Sequence, residues 1–329
     1  MQTPGESGNG RSAELLRRKR RPVLLLVLVL LAAGLVLPYL LINDEPAWLD
    51  DAARAAATGT FARLSAGHTY YEVAGADGAQ TVVLVHGTTI PSFDWDRNFQ
   101  VLAQTGLRVV RYDLYGRGLS DRPAARYDPD FFVKQLDELL AAVAPGGPVD
   151  LVGFSLGGIV VSEFTRRHPS RVRRVVLISP AGVGTDLPLA ARLAMAPGVG
   201  EYIMRVAGTR QLMPSRRNLR HPDRYPDFDA TYLKTIRSQG SRRAVLESLR
   251  NMPFNGYEPG YRALGTPGKP ILLAWGRHDG VVPFSSSERV RELVGPARVV
   301  AIDDAGHLSN YERPDIVNAA LVDFLASGD

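Results

Sequence analysis

The 329-residue chain contains no cysteine. That removes any disulfide framework and any zinc or iron–sulfur site built on thiolates. A cysteine-free chain suits oxidising and reducing spaces alike, so the absence leaves the compartment open. Internal repeats and low-complexity tracts are missing too. With 45% apolar and 22% charged residues, the composition is globular rather than disordered or collagenous. The formal charge is +5, yet no basic patch interleaved with aromatics, no helix-turn-helix pattern and no finger spacing accompanies it. Nucleic acid is therefore not an expected partner. The positive excess sits in two segments: residues 1–42 net +4, and residues 184–266, with 13 basic and 7 acidic side chains, net +6.

Charge is also absent from Val23 to Ile42, a run of 20 residues. A helix of that length spans roughly 30 Å, the hydrocarbon thickness of a bilayer. Arg17 to Arg21 precede the run, and Asp44, Glu45, Asp50 and Asp51 follow it. The positive-inside bias then places the N-terminus in the cytoplasm and the remainder on the extracytoplasmic side of a membrane. A cleaved signal peptide would have a shorter apolar region, about 7–15 residues, ending in a small-residue cleavage site. Leu41-Ile42-Asn43-Asp44-Glu45 offers none, so the sequence predicts an uncleaved, single-pass signal anchor after a polar, disordered tail over 1–16.

The remainder alternates short apolar runs with helical patterns. Val82–Val85, Leu107–Arg111, Val149–Phe154, Val172–Ile178, Ile271–Trp275 and Arg298–Ile302 read as strands. Gln135–Val143, Ser285–Val294 and Pro314–Leu325 read as helices. Apolar runs of four to seven bounded by Gly or Pro indicate a mostly parallel, doubly wound sheet covered on both faces, an α/β fold. The strand rhythm stops between about Gly184 and Leu264, where helical patterns dominate.

Gly153-Phe154-Ser155-Leu156-Gly157 places G-x-S-x-G between a buried strand and a helix. The nucleophile of such a turn sits on a sharp, strained bend, and the flanking glycines let strand and helix approach. Serine needs a base that titrates near neutrality, which among side chains is imidazole. Of the six histidines, His307 follows the apolar run Val299–Ile302 and precedes a helix, the strand end where sites of open α/β sheets gather. His168, with Arg166 and Arg167, reads as a helix terminus. His86 ends a strand ahead of the nucleophile, while His68 and His221 lack a site context. Asp279, after the strand Ile271–Trp275, is the expected acid that orients the imidazole; Asp186 is the alternative. Asp303 and Asp304 read as loop solvation. The order Ser155, Asp279, His307 is the order of α/β hydrolases.

With these motifs stands His86-Gly87-Thr88 and the turn Asp113-Leu114-Tyr115-Gly116-Arg117-Gly118-Leu119-Ser120. Together they resemble an α/β-hydrolase fold serine hydrolase of the esterase or lipase kind, over about residues 61–327. The resemblance implies that the backbone N–H groups of Thr88 and Leu156 form the oxyanion hole, that Asp113 and its glycines buttress the site, and that no metal or cofactor is needed. With the charge and hydropathy pattern of the N-terminal part, the expected layout is a basic tail 1–22, an anchor 23–42 and a linker 43–60, followed by what the resemblance implies: a core 61–183 and 267–329 and a helical cap 184–266. A serine at 155 disfavours epoxide opening and dehalogenation, which use an aspartate there. Phe154, where carbon–carbon hydrolases of the family often carry Asn, makes that chemistry the lesser alternative, beside perhydrolysis and slow-turnover ligand sensing. The expected substrate is a small-molecule carboxylic ester. The cap holds Met195, Met204, Met213 and Met252, whose flexible thioethers suit either an acyl pocket or ordinary packing. Its arginines, including Arg216, Arg217, Arg220, Arg242 and Arg243, read as a solvated face or as a surface for anionic headgroups.

Overall fold

The computed structural model describes residues 8–184, 189–213, 218–266 and 268–326, and it divides between Asp44 and Glu45 into two compact units. In the first unit a single helix, Gly8–Leu41, has Pro22 and Pro38 inside it. The stretch Pro22–Leu41 is long and apolar enough to cross a membrane, and none of it is buried against protein. The backbone is helical from Gly8, not irregular to residue 16 as its polarity suggested. Glu14-Leu15-Leu16-Arg17-Arg18-Lys19 consists of good helix formers, which polarity alone does not reveal.

The second unit is built on an eight-stranded sheet: β1 Thr60–Leu64, β2 Gly67–Ala74, β3 Thr81–Val85, β4 Arg108–Tyr112, β5 Val149–Phe154, β6 Val172–Ile178, β7 Ile271–Gly276 and β8 Arg298–Ile302. The spatial order is β1-β2-β4-β3-β5-β6-β7-β8. β2 is antiparallel to both of its neighbours, and every other pairing is parallel. This is the α/β hydrolase fold. The interior strands are continuous apolar runs because both faces are covered. Alternate side chains enter two separate cores. Val83, Val85 and Leu151 pack with Leu136, Ile159 and Phe164 on one face; Val82, Leu84 and Val152 pack with Trp95, Leu102 and Leu321 on the other. Helices Pro129–Val143, Leu156–Arg167 and Ser286–Val294 cover the first face, with Phe99–Ala103 and Pro314–Ala326 on the second. The helix after β4 starts at Pro129, six residues ahead of the expected Gln135, because Asp128 accepts the Phe131 N–H at 3.0 Å and Pro129 occupies the first helical position.

β3 connects to β4 on one side, and the chain then crosses back past β3 to β5 on the other, so the direction of winding reverses there. That switch point opens a crevice at the carboxyl ends of β3 and β5.

The insertion between β6 and β7 holds helices Leu189–Ala194, Val199–Leu212, Phe228–Ile236, Ser241–Asn251 and Glu258–Gly265. The last of these packs on core helices Leu156–Arg167 and Ser286–Val294. Within and beside it, Tyr257 donates to Glu163 Oε2 at 3.1 Å, and buried Tyr261 donates to the Ala181 carbonyl at 2.5 Å. The segment read as a linker is also bonded to the body of this unit. Ala47 bridges Arg237 and Gln239 through backbone hydrogen bonds, Asp51–Ala55 is helical, and Arg54 pairs with Asp121 at 2.7 Å.

Candidate active site

Ser155 lies between the last residue of β5 and the helix Leu156–Arg167, with φ 52° and ψ −114°. A serine rarely adopts that conformation, and it persists only where its surroundings over-determine it. Three glycines do so by close approach. A Cβ on Gly157 would lie 2.2 Å from the Val85 carbonyl oxygen, and one on Gly153 would lie 2.4 Å from the Gly157 oxygen. A Cβ on Gly87 would stand 3.3 Å from Ser155 Cβ and 3.0 Å from the Phe154 ring. The G-x-S-x-G spacing is thus a packing requirement of three chain segments meeting at Ser155. The Ser155 carbonyl accepts the Gly158 and Ala181 N–H groups at 2.9 and 3.0 Å, which fixes the turn from behind.

His307 and Asp279 arrive from the loops after β8 and β7. His307 Nδ1 is 2.8 Å from Asp279 Oδ2, and both side chains are almost fully buried. The other carboxylate oxygen, Oδ1, accepts the backbone N–H groups of Val281 and Val282, each at 2.8 Å. Asp279 is therefore clamped by two amides while its free edge faces the imidazole. With Nδ1–H donated to Asp279, Nε2 remains the basic nitrogen. The Phe154 ring packs 4.8 Å, centroid to centroid, from the His307 ring.

Ser155 and His307 line one cavity of about 270 Å³, together with Gly87, Thr88, Thr89, Ile90 and Phe154 from the core. Gln211, Leu212, Met213, Asn218, Leu249 and Phe254 of the insertion close it, and Val281 and Val282 complete the wall beside Asp279. The lining is mostly apolar, and among the described lining residues His307 is the sole ionisable side chain. Thr88 and Leu156 flank Ser155: Thr88 lines the cavity, and Leu156 opens the helix, where the first N–H groups have no intrahelical acceptor. Among the described residues no group of three His, Asp or Glu side chains is arranged to hold a metal ion.

The remaining histidines separate by their partners. Burial, helped by the nearby Arg117 charge and opposed by a bond to Gly87, pushes His86 down to about 3. Its Nδ1 donates to the Gly87 carbonyl at 2.8 Å, and its Nε2 accepts the Leu114 N–H at 2.8 Å. It is a neutral strut between the loops after β3 and β4. His68 pairs with Asp121, His168 terminates the helix Leu156–Arg167, and His278 is exposed. Asp303 and Asp304 are not merely solvated: Asp303 pairs with Arg277 at 2.7 Å and Asp304 with His221 at 2.6 Å. Their partners come from distant positions, so local sequence carried no sign of them. Asp186, Arg216 and Arg217 lie outside the described residues.

Three further groups hold the site together. Asp113 accepts the Ser92 N–H and Oγ on one oxygen, at 2.8 and 2.6 Å, and the Leu119 N–H on the other at 2.8 Å. A Cβ on Gly118 would fall 1.9 Å from its carboxylate, which is why glycine stands there. Glu312 accepts the Gly306 N–H at 2.7 Å on one oxygen and those of Arg220 and His221 at 2.7 and 3.0 Å on the other. It thereby joins the histidine loop to the insertion, and nothing in the sequence marked it. Arg117, read only as part of a turn, is 2% exposed and donates to Thr88. A cation between two turn glycines was the available signal. Of the cap methionines, Met213 lines the cavity and Met252 is buried in the core. Arg242 is buried and binds the Met204 and Arg205 carbonyls, so it staples helices rather than facing solvent.

The chain matches the family described as alpha/beta hydrolase fold over residues 80–314. It is 30% identical over 291 residues to the 2-hydroxy-6-oxononadienedioate/2-hydroxy-6-oxononatrienedioate hydrolase of Paraburkholderia xenovorans (strain LB400), covering 82% of this chain and 96% of that one. It is 25% identical over 272 residues to the carboxylesterase YbfK of Bacillus subtilis (strain 168), covering 80% and 86%. Among solved structures, an enol-lactonase from Burkholderia xenovorans LB400 superposes with a TM-score of 0.70 at 22% identity, over 82% of this chain and all of that one.

Proposed function

We propose that this chain, which belongs to the alpha/beta hydrolase fold family, is a membrane-anchored serine hydrolase of carboxylic esters with apolar acyl groups. The observation that carries the reading is that Ser155, at positive φ, and an Asp279-bonded His307 line one apolar cavity. In this reading Ser155 Oγ attacks the ester carbonyl as His307 Nε2 takes its proton. Asp279 holds the tautomer and stabilises the imidazolium. The N–H groups of Thr88 and Leu156 receive the oxyanion, where such a donor contributes about 10² to 10³ in rate. Collapse expels the alcohol, which leaves with the proton held by His307. Water then attacks the acyl-enzyme by the same route and releases the acid. A cavity of about 270 Å³ is at the small end of ligand sites and suits a neutral, modest acyl chain.

A second reading, carbon–carbon hydrolysis, is favoured by the 30% identical relative named for a dienedioate. Phe154, beside Ser155 on the cavity wall, stands where carbon–carbon hydrolases of the family often carry Asn, and the cavity lining is mostly apolar. The ester reading is therefore preferred.

One experiment separates the readings. The protein is incubated with a fluorophosphonate probe, with p-nitrophenyl esters of graded chain length, and with the dienedioate. Labelling abolished in Ser155→Ala, with fast ester turnover, is expected. Faster turnover of the dienedioate would replace the ester reading, and an unlabelled wild-type protein would remove Ser155 as nucleophile. The helix Gly8–Leu41, preceded in its apolar part by Arg17–Arg21, supports the anchor, with the catalytic unit extracytoplasmic. Protease added outside intact cells should then digest the catalytic unit. Protection from it would overturn that topology.

A further inference from the structure

The guanidinium of Arg117 joins three pieces of the fold. Its Nε donates to the Thr88 carbonyl at 2.8 Å, one terminal nitrogen to the Tyr115 carbonyl at 3.1 Å, and the other to Ser248 Oγ at 2.7 Å. Thr88 belongs to the loop after β3, Tyr115 to the turn after β4, and Ser248 to the helix Ser241–Asn251, whose Leu249 lines the cavity. All three acceptors are neutral. No carboxylate lies within ion-pair distance of Arg117 among the described residues, and the side chain sits over the faces of Phe132 and Tyr127, 5.5 and 5.8 Å away. Burial lowers its affinity for the proton to about 10, which still leaves it charged at neutral pH.

A buried cation without a counter-ion is costly, and an apolar residue of similar volume usually serves stability as well or better. Struts in this region include neutral His86, anionic Asp113 and a second cation, Arg122, which donates to the Gly118 and Ser120 carbonyls and to Ser241 Oγ and feels the Asp113 charge. A positive charge immediately behind Thr88 differs from them in one respect: it favours negative charge developing on the cavity side of that loop.

We propose that Arg117 is a positioning residue for ester hydrolysis, fixing the Thr88 loop against the insertion and placing an unneutralised charge behind the oxyanion site. This deepens the serine-hydrolase reading and rests on it. Two effects follow from one side chain. The fork holds the Thr88 peptide so that its neighbouring N–H is aimed before substrate arrives. The charge adds a field that acts on the tetrahedral oxyanion more than on the neutral ester, which is the difference that accelerates a reaction. The Ser248 arm makes the geometry of that loop depend on the helix that walls the cavity.

The test uses the full chain in detergent. Wild type and Ser155→Ala are first compared for fluorophosphonate labelling; if wild type is not labelled, the hydrolase reading itself fails, independently of Arg117. Arg117→Met and Arg117→Lys are then compared with wild type in ester hydrolysis, thermal midpoint and inhibition by a trifluoromethyl ketone, which forms the same tetrahedral oxyanion. In Arg117→Met the expected result, at temperatures where its thermal midpoint shows it fully folded, is kcat down about tenfold or more, KM within twofold, and ketone affinity lost in the same proportion as kcat/KM. Arg117→Lys, keeping the charge without the fork, should fall between the two. A folded Arg117→Met with wild-type kcat overturns the proposal, as does a loss of activity that only follows a lowered midpoint. Should Arg117→Met not fold, Arg117→Lys decides: kcat lowered at unchanged KM supports the role, and wild-type kcat overturns it.

Discussion

The carboxylate of Glu45 accepts the backbone N–H of Arg242 at 2.7 Å and that of Gly240 at 3.3 Å. Gly240, at the N-cap of the helix Ser241–Asn251, has no side chain to do this itself. A residue just after the apolar N-terminal helix therefore caps a helix that walls the cavity, and the segment 45–54 is a strap on the catalytic unit rather than a free tether.

Glu45→Ala should cost about 1 kcal/mol, the usual loss for a missing N-cap acceptor. Hydrogen exchange should show the effect first in the amides of the helix Ser241–Asn251, and KM for longer esters should rise because Leu249 loses its support. Unchanged exchange in that helix would show that Glu45 is dispensable there.

Asp279→Asn is expected to preserve the fold and lower kcat by about 10⁴, the loss typical when the imidazole partner no longer selects the tautomer. The introduced amide would still accept the Val281 and Val282 N–H groups through its carbonyl oxygen, so its NH₂ would face His307 Nδ1. Steady-state kinetics with a p-nitrophenyl ester measures the change; a loss below tenfold would point to another acid.

His86 supplies a pH dependence. In the unfolded chain it titrates near its ordinary 6.5, whereas in the fold burial holds it near 3. Between those values the unfolded chain takes up a proton that the folded one refuses. The stabilisation is complete above pH 6.5 and is lost progressively as pH falls toward 3. Thermal midpoints of wild type should already decline from pH 6.5 to 5, where most carboxylates are still ionised. His86→Gln should be less stable at pH 7 but flatter across that window. An equal slope in both would remove His86 as its source.

Gly157→Ala should be strongly destabilising, because the new methyl would meet the Val85 and His86 carbonyl oxygens at 2.2 and 2.7 Å, and backbone cannot rotate away. Gly146→Ala is the control, since nothing lies within 4 Å of its added Cβ. Comparing the two thermal midpoints measures the packing demand at the serine turn directly, and similar midpoints would contradict it.

Much of the fold was legible because burial imposes a pattern. β3, β5, β6 and β7 lie within a residue or so of the apolar runs that announced them, since interior strands covered on both faces must be apolar throughout; β8, at the far edge of the sheet, was legible from its own short apolar run. β1 and β2 were not foreseen. At the sheet edge their side chains are largely half-exposed, and Thr60–Leu64 and Gly67–Ala74 carry no apolar run. The candidate site divides in the same way. Gly153, Gly157 and Gly87 are visible as residue types because only glycine fits beside Ser155, whereas Glu312 looks like any surface charge until the chain folds and Arg117 is marked only by its place between two turn glycines.

The sequence by itself determined the α/β architecture, the apolar N-terminal helix, and which serine, aspartate and histidine stand at strand ends, because periodicity and motif spacing are local properties. The tertiary structure alone decided that Asp279 meets His307, that an apolar cavity closes over Ser155, and that Arg117, Glu312 and Glu45 tie the loops of the candidate site and the cavity wall into one frame. Those relations depend on contacts between residues up to about two hundred positions apart, and the energy of such contacts arises only when burial removes water from both partners.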